Sequence, residues 1–192
     1  MPEYLSDEEI RIFIVSKLSW IHKHSQRYKS IEKQGDCEFL TDETHYFLGN
    51  KYKLHIIETT GRQHVELNTE YMVLYVRAGS TVEKRKKILL EFYRQNLKKI
   101  IPSYIDKWEN ILNVNVNDFG IKLMKTRWGT CNTRDKRIWV NLELAKKAPK
   151  YLEYIIVHEM VHLLERYHNQ NFKNYMNKLL PEWKKIKNEL NG

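Results

Sequence analysis

Residues 158–162 read His-Glu-Met-Val-His, and a third histidine, His168, follows six residues after the second. Few short patterns constrain a chain so strongly, because this spacing sets both a local structure and a chemistry. Residues four apart on an α-helix lie about 40° apart around it and about 6 Å along it, so two imidazoles can reach one point. Such a pair suits a divalent cation at nitrogen distances of about 2.0–2.1 Å. Glu159, beside the first histidine, is placed as a general base on water rather than as a ligand. Random placement gives H-E-x-x-H in roughly 3% of chains of this composition, and with the third histidine in roughly 0.1%. The flanking residues agree. Leu152, Ile155, Ile156, Met160, Val161, Leu163 and Leu164 occupy nearly every other direction, which predicts a buried helix over 150–166. Two histidines and a carboxylate in such surroundings need a partner, and a Zn²⁺ ion supplies it. His158, His162 and His168 are the expected ligands. Glu165 competes with His168, since it shares the helical face but lies a turn further along. His168 is preferred because it follows the expected helix end, where the chain can turn back. Glu165 then serves as an acceptor for a ligand N–H.

The rest of the chain bounds this chemistry. A length of 192 residues fits one domain with an appendage. Net charge is +9, with 33 Lys+Arg against 24 Asp+Glu. Residues 1–80 hold 10 basic and 12 acidic side chains, net −2, so residues 81–192 hold 23 and 12, net +11. A basic half attracts polyanions, but charge alone fixes no partner. Cys37 and Cys131 are far apart and form no CxxC pair, which suits a reducing compartment. The acidic start of the sequence has no secretory pattern, and no apolar run approaches the roughly 18 residues of a membrane span. A cytoplasmic protein with no membrane partner is expected.

Ser6 followed by three acidic residues predicts a helix start, and apolar spacing carries that helix over 7–28. Alternating β-rich runs at 45–48, 51–57, 64–67 and 71–76, separated by Gly49-Asn50, Thr60-Gly61 and Asn68-Thr69, predict an antiparallel meander. Thr81 caps a long helix that Pro102 is expected to break or kink, with a second segment to about 112. Strands are predicted at 119–125 and 137–141, joined by a turn-rich connection over 127–135. Asn169 caps another helix and Pro181 opens the last. The class is α+β, with an N-terminal helix and antiparallel β-meander over 1–80 and a catalytic core over 81–192.

Four segments carry a resemblance that spans most of the chain: Leu18-Ser-Trp20-Ile, Thr41-Asp-Glu-Thr-His-Tyr-Phe-Leu-Gly49, Arg127-Trp-Gly-Thr-Cys131, and His158 to His162 with His168-Asn-Gln-Asn-Phe172. They resemble the YgjP-like metallopeptidases, relatives of the SprT and Spartan zincins. The resemblance implies a minimal zincin-like core and a zinc-dependent hydrolase of peptide or protein substrates. It implies two histidines from the helix, a third from the following turn, and glutamate as base. Members often accompany type I restriction systems, which hints at DNA or DNA-bound protein as a partner. An alternative is a nucleic-acid-associated accessory protein with a mainly structural zinc site. Other roles stay open. Arg127 and Trp128 bind substrate, or the segment is a hairpin turn needing Gly129, with Trp128 in the core. Cys131 reads as a buried thiol rather than a nucleophile. Tyr167, Tyr175 and Arg127 are candidates for stabilising an oxyanion. The 137–141 or 119–125 strand is expected to pair with extended peptide.

Overall fold

The computed structural model describes residues 6–8, 10–18 and 39–192. The chain divides into two compact units, Met1–Cys37 and Glu38–Gly192. Within the first, residues 7–8 and 10–18 are helical and are called α1. The predicted continuation to residue 28, most of the Leu18–Ile21 segment and Cys37 lie outside the described residues. The first sheet and the 81–192 region share the second unit.

The second unit opens with four strands, β1 (Thr44–Phe47), β2 (Asn50–Glu58), β3 (His64–Leu67) and β4 (Tyr71–Val76), in the order β1-β2-β4-β3. The four predicted strands form, but the sheet is mixed rather than an antiparallel meander. β2 and β4 run parallel, with Leu54 opposite Met72 and Ile56 opposite Leu74. The composition of β4 explains the correction. Tyr-Met-Val-Leu-Tyr-Val is apolar on both faces, and Met72, Val73, Leu74 and Val76 are buried. A strand of that kind takes the interior of a sheet, which leaves the half-buried β3 at the edge. Leu48 and Gly49 both have positive φ and close the β1–β2 hairpin.

Helix α2 (Val82–Leu112) spans 31 residues and is capped by Thr81, whose hydroxyl accepts the Lys84 N–H. Pro102 lies inside it and does not divide it. The buried stripe Leu89, Tyr93, Leu97, Ile101, Ile105, Trp108 and Leu112 continues on both sides of the proline, so packing holds both halves in one helix. Asn113, in the left-handed region, ends it.

A second sheet follows, with β5 (Asp118–Lys122), β6 (Gly129–Asn132) and β7 (Arg137–Asn141) in the order β5-β7-β6. β5 runs parallel to β7 and β6 antiparallel to it. The connection predicted as turns therefore contains a strand. A 3₁₀ turn (Leu142–Lys146) leads into α3 (Pro149–Val161), then α4 (Gln170–Leu179) and α5 (Trp183–Asn191). No helix of the described residues is long and apolar enough to cross a membrane.

Candidate metal and catalytic centre

Helix α3 starts at Pro149, a first-turn position where a missing N–H leaves no bond unmade. Leu152, Ile155, Ile156, Val157, Met160 and Val161 are buried, with β6, β7 and helices α2, α4 and α5 packed around α3. It ends at Val161, not near residue 166, and His162 caps it with helical angles. The hydrogen bonding explains the early end. Leu163 and Leu164 N–H return to Met160 and Val161 carbonyls in tight three-residue turns, and Leu164 is exposed. His162 Nδ1 lies 3.2 Å from the Glu165 carbonyl oxygen, which orients the ring and leaves Nε2 free to face the site. Asn169 then caps α4 by accepting the Phe172 N–H. Between these anchors the chain doubles back and sets His168 Nε2 2.9 Å from His158 Nε2.

The ligand-capable nitrogens of His158, His162 and His168 lie within 4.8 Å of one another, the one such group of three among the described residues. Phe172 forms their floor. Its buried ring lies 4.9, 4.8 and 4.6 Å from the rings of His158, His162 and His168. The sequence places Phe172 four residues after His168, on the buried face of α4, but gives it no role. The structure makes it the apolar support of all three imidazoles.

Burial sets the electrostatics. It holds His158 down at about 3, reinforced by the neighbouring histidines and Lys187. Burial also lowers His168, again with His162 and Lys187 opposing a proton. Glu159 is buried and pushed up to about 8, with the charge of Arg127 pulling the other way. Burial and the nearby Glu159 raise the Cys131 thiol to about 12, so it is no thiolate.

A cleft of about 650 Å³ opens over the histidines. Gly129, Thr130, Cys131 and Asn132 of β6 line one side, with Arg127 and Thr133, while Arg166 joins His158, Glu159, His162 and His168. Gly129 permits this closeness. A Cβ there would come within 2.8 Å of Ile155 Cγ2 and 2.9 Å of Glu159 Oε1. Arg127 lines the cleft, and Gly129 is needed for packing rather than for a turn. Trp128 is half-buried, does not line the cleft, and donates from Nε1 to Asn191 Oδ1 at 3.2 Å.

Asn141 organises this segment, and its role is not evident in the sequence. Buried at the end of β7, its amide donates to the Met124 and Arg127 carbonyls at 2.9 and 2.8 Å. Its Oδ1 accepts from Met124 and Glu143 N–H, and its own N–H binds the Trp128 carbonyl. Of the other predicted residues, the Glu165 side chain and Tyr175 line a separate hollow, and Tyr167 is exposed outside the cleft. Only Arg127 of the three oxyanion candidates borders the site.

The family profile described as the YgjP-like metallopeptidase domain matches residues 1–192. The chain belongs to the YgjP-like metallopeptidase family. Among solved structures it is similar to the metallopeptidase zymogen abylysin of Pyrococcus abyssi, at 20% identity over 47% of this chain and 90% of that one, with a TM-score of 0.44. It is also similar to the metallopeptidase zymogen jannalysin of Methanocaldococcus jannaschii, at 23% identity over 47% and 92%, with a TM-score of 0.42. No curated protein gives a significant match.

A YgjP-like metallopeptidase requires a metal ion, typically zinc, and the donor set here fits one. Two ring nitrogens 2.9 Å apart must share a proton or a cation. Burial and mutual repulsion disfavour the proton. Three imidazole nitrogens within 4.8 Å of one another suit a divalent cation.

Proposed function

We propose that this protein is a zinc-dependent peptidase in which His158, His162 and His168 hold the ion and Glu159 is the general base. The convergence of three imidazole nitrogens beside one buried carboxylate, on the floor of an open cleft, carries this reading. When bound, zinc supplies Lewis acidity, which acidifies water and polarises a carbonyl. Glu159 takes a proton from the attacking water as the new C–O bond forms. It then delivers that proton to the amide nitrogen as the C–N bond breaks, leaving a carboxylic acid and an amine, which exchange the remaining proton to give carboxylate and ammonium. The close approach of Gly129, which leaves no room for a Cβ beside Glu159, confines the Glu159 side chain.

Substrate pairing belongs to β6. β7 is hydrogen-bonded on both sides and cannot accept a strand, and β5 lies at the far edge. β6 is the remaining edge, and its four residues line the cleft. Extended peptide added there would run beside Glu159.

The alternative, a nucleic-acid-associated protein with a structural zinc site, draws on the basic character of residues 81–192. A structural site is usually closed by four protein ligands, whereas the described residues bring three together. Zinc content joined to cleavage of a peptide library separates the two. Glu159→Gln should keep the metal and lose turnover. Equal cleavage by both proteins would remove Glu159 as base, and salt-sensitive DNA binding without cleavage by either would favour the alternative.

A further inference from the structure

The cleft walls carry a charge pattern that the proposed hydrolysis does not use. Arg127 and Arg166 both line it, reached from opposite segments: the loop before β6 and the turn between His162 and His168. The sole carboxylate lining it is Glu159, which is buried and assigned to the base. Neither guanidinium forms an ion pair among the described residues, although seven ion pairs form elsewhere. Lys187, on α5, adds to the same field, since its charge reaches His158 and His168. The other polar lining, Thr130, Asn132 and Thr133, is neutral. The arrangement has local support. Asn141 holds the Arg127 carbonyl at 2.8 Å, and Arg166 sits inside a turn fixed by His162 and Asn169.

We infer that Arg127 and Arg166 select carboxylate-bearing peptides, so that the substrates of this site are acidic beside the bond that is cut. This rests on the peptidase reading above and goes on to name the substrate class. Guanidinium groups bind carboxylates through paired hydrogen bonds, and two of them unpaired beside a cationic centre favour an anionic partner over a neutral or cationic one. The carboxylate can come from an Asp or Glu side chain or from a free peptide C-terminus.

Two measurements on the full chain test this. The first uses zinc-loaded Glu159→Gln protein and labelled peptides of one backbone, carrying Glu, Ala or Lys around the centre, each with a free or amidated C-terminus. Fluorescence anisotropy should show the Glu peptide binding about tenfold or more tighter than the Ala peptide, and the Lys peptide weakest. Weaker binding of the amidated Ala peptide than of its free-acid form would assign the carboxylate to the C-terminus. Persistence in the amidated Glu series would assign it to side chains. The second measures kcat/KM of the zinc-loaded protein carrying Arg127→Ala or Arg166→Glu. Both should lose about tenfold or more on acidic peptides, and Arg166→Glu should move preference toward the Lys peptide. Equal binding of all six peptides, free and amidated, would overturn the inference and leave the peptidase reading standing. So would a single-stranded oligonucleotide that displaces the acidic peptide and depends on Arg127. Charge-selective binding with no cleavage of any peptide would uphold the selection of carboxylates by Arg127 and Arg166 and sink the peptidase reading.

Discussion

The two sheets of the second unit share a plan and differ at their edges. Each joins one parallel and at least one antiparallel pairing. In the first, the interior strand β4 is apolar on both faces and the β1–β2 hairpin docks by backbone hydrogen bonds onto the 3₁₀ turn before α3. Its tightest glycine, Gly49, presses on Ala148 at the start of α3. In the second, β7 is the interior strand and β6 is left as an edge lining the cleft. Gly129, at the cleft end of that sheet, packs against Ile155 and Glu159. One sheet therefore braces the beginning of α3, while the other lines the cleft at its end. Similar pairing serves stability in one place and access in the other, and the difference lies in what the edge faces.

Changes at the two ends of α3 should separate these roles. The largest effect is expected at the metal end: His162→Ala should weaken zinc binding by at least about a hundredfold, read by competition with a chelating dye. Glu159→Gln should keep zinc and reduce kcat by about 10²–10⁴-fold. The glycines sharpen the contrast. Gly129→Ala should destabilise the fold by about 1–3 kcal/mol in urea melts and also lower the kcat of the folded protein, because its Cβ displaces Glu159. Gly49→Ala, at φ +85° and 3.0 Å from Ala148, should destabilise by more than about 1 kcal/mol and leave the kcat of folded protein unchanged. A kcat loss in both glycine variants would break the division of labour.

The smallest expected effect belongs to pH. His45, buried in β1 near Glu43 and Lys146, is held below its ordinary value of 6.5, mainly by burial. As pH falls, the unfolded chain takes up that proton first. The contribution of neutral His45 is therefore complete above 6.5 and shrinks below it. His45→Gln should reduce the drop in stability between about pH 6.5 and 5, read from melts at each pH.

Much of this was legible in the residues. The His-Glu-x-x-His spacing carries its own geometry, and the four strands of the first sheet follow from alternation and turn residues. What escaped depends on distant partners. β6 is four residues with a glycine and little apolar content, so it becomes a strand only through pairing with β7. The parallel match of β2 with β4 joins segments across an intervening strand. The end of α3 at Val161 depends on the His162–Glu165 contact, and leucines that look like core in the pattern lie beyond it. Asn141 reads as an ordinary polar residue at a strand end, and three of its four side-chain bonds exist only once the Met124–Trp128 segment folds over it.

The central claim is that three imidazoles, and no other side chain, hold the metal beside Glu159. X-ray absorption at the zinc edge of the zinc-loaded protein tests it most directly. The account predicts three imidazole nitrogens at about 2.0–2.1 Å and one light oxygen scatterer from solvent. Sulfur at about 2.3 Å from Cys131, or a fourth protein ligand closing the site, would contradict it.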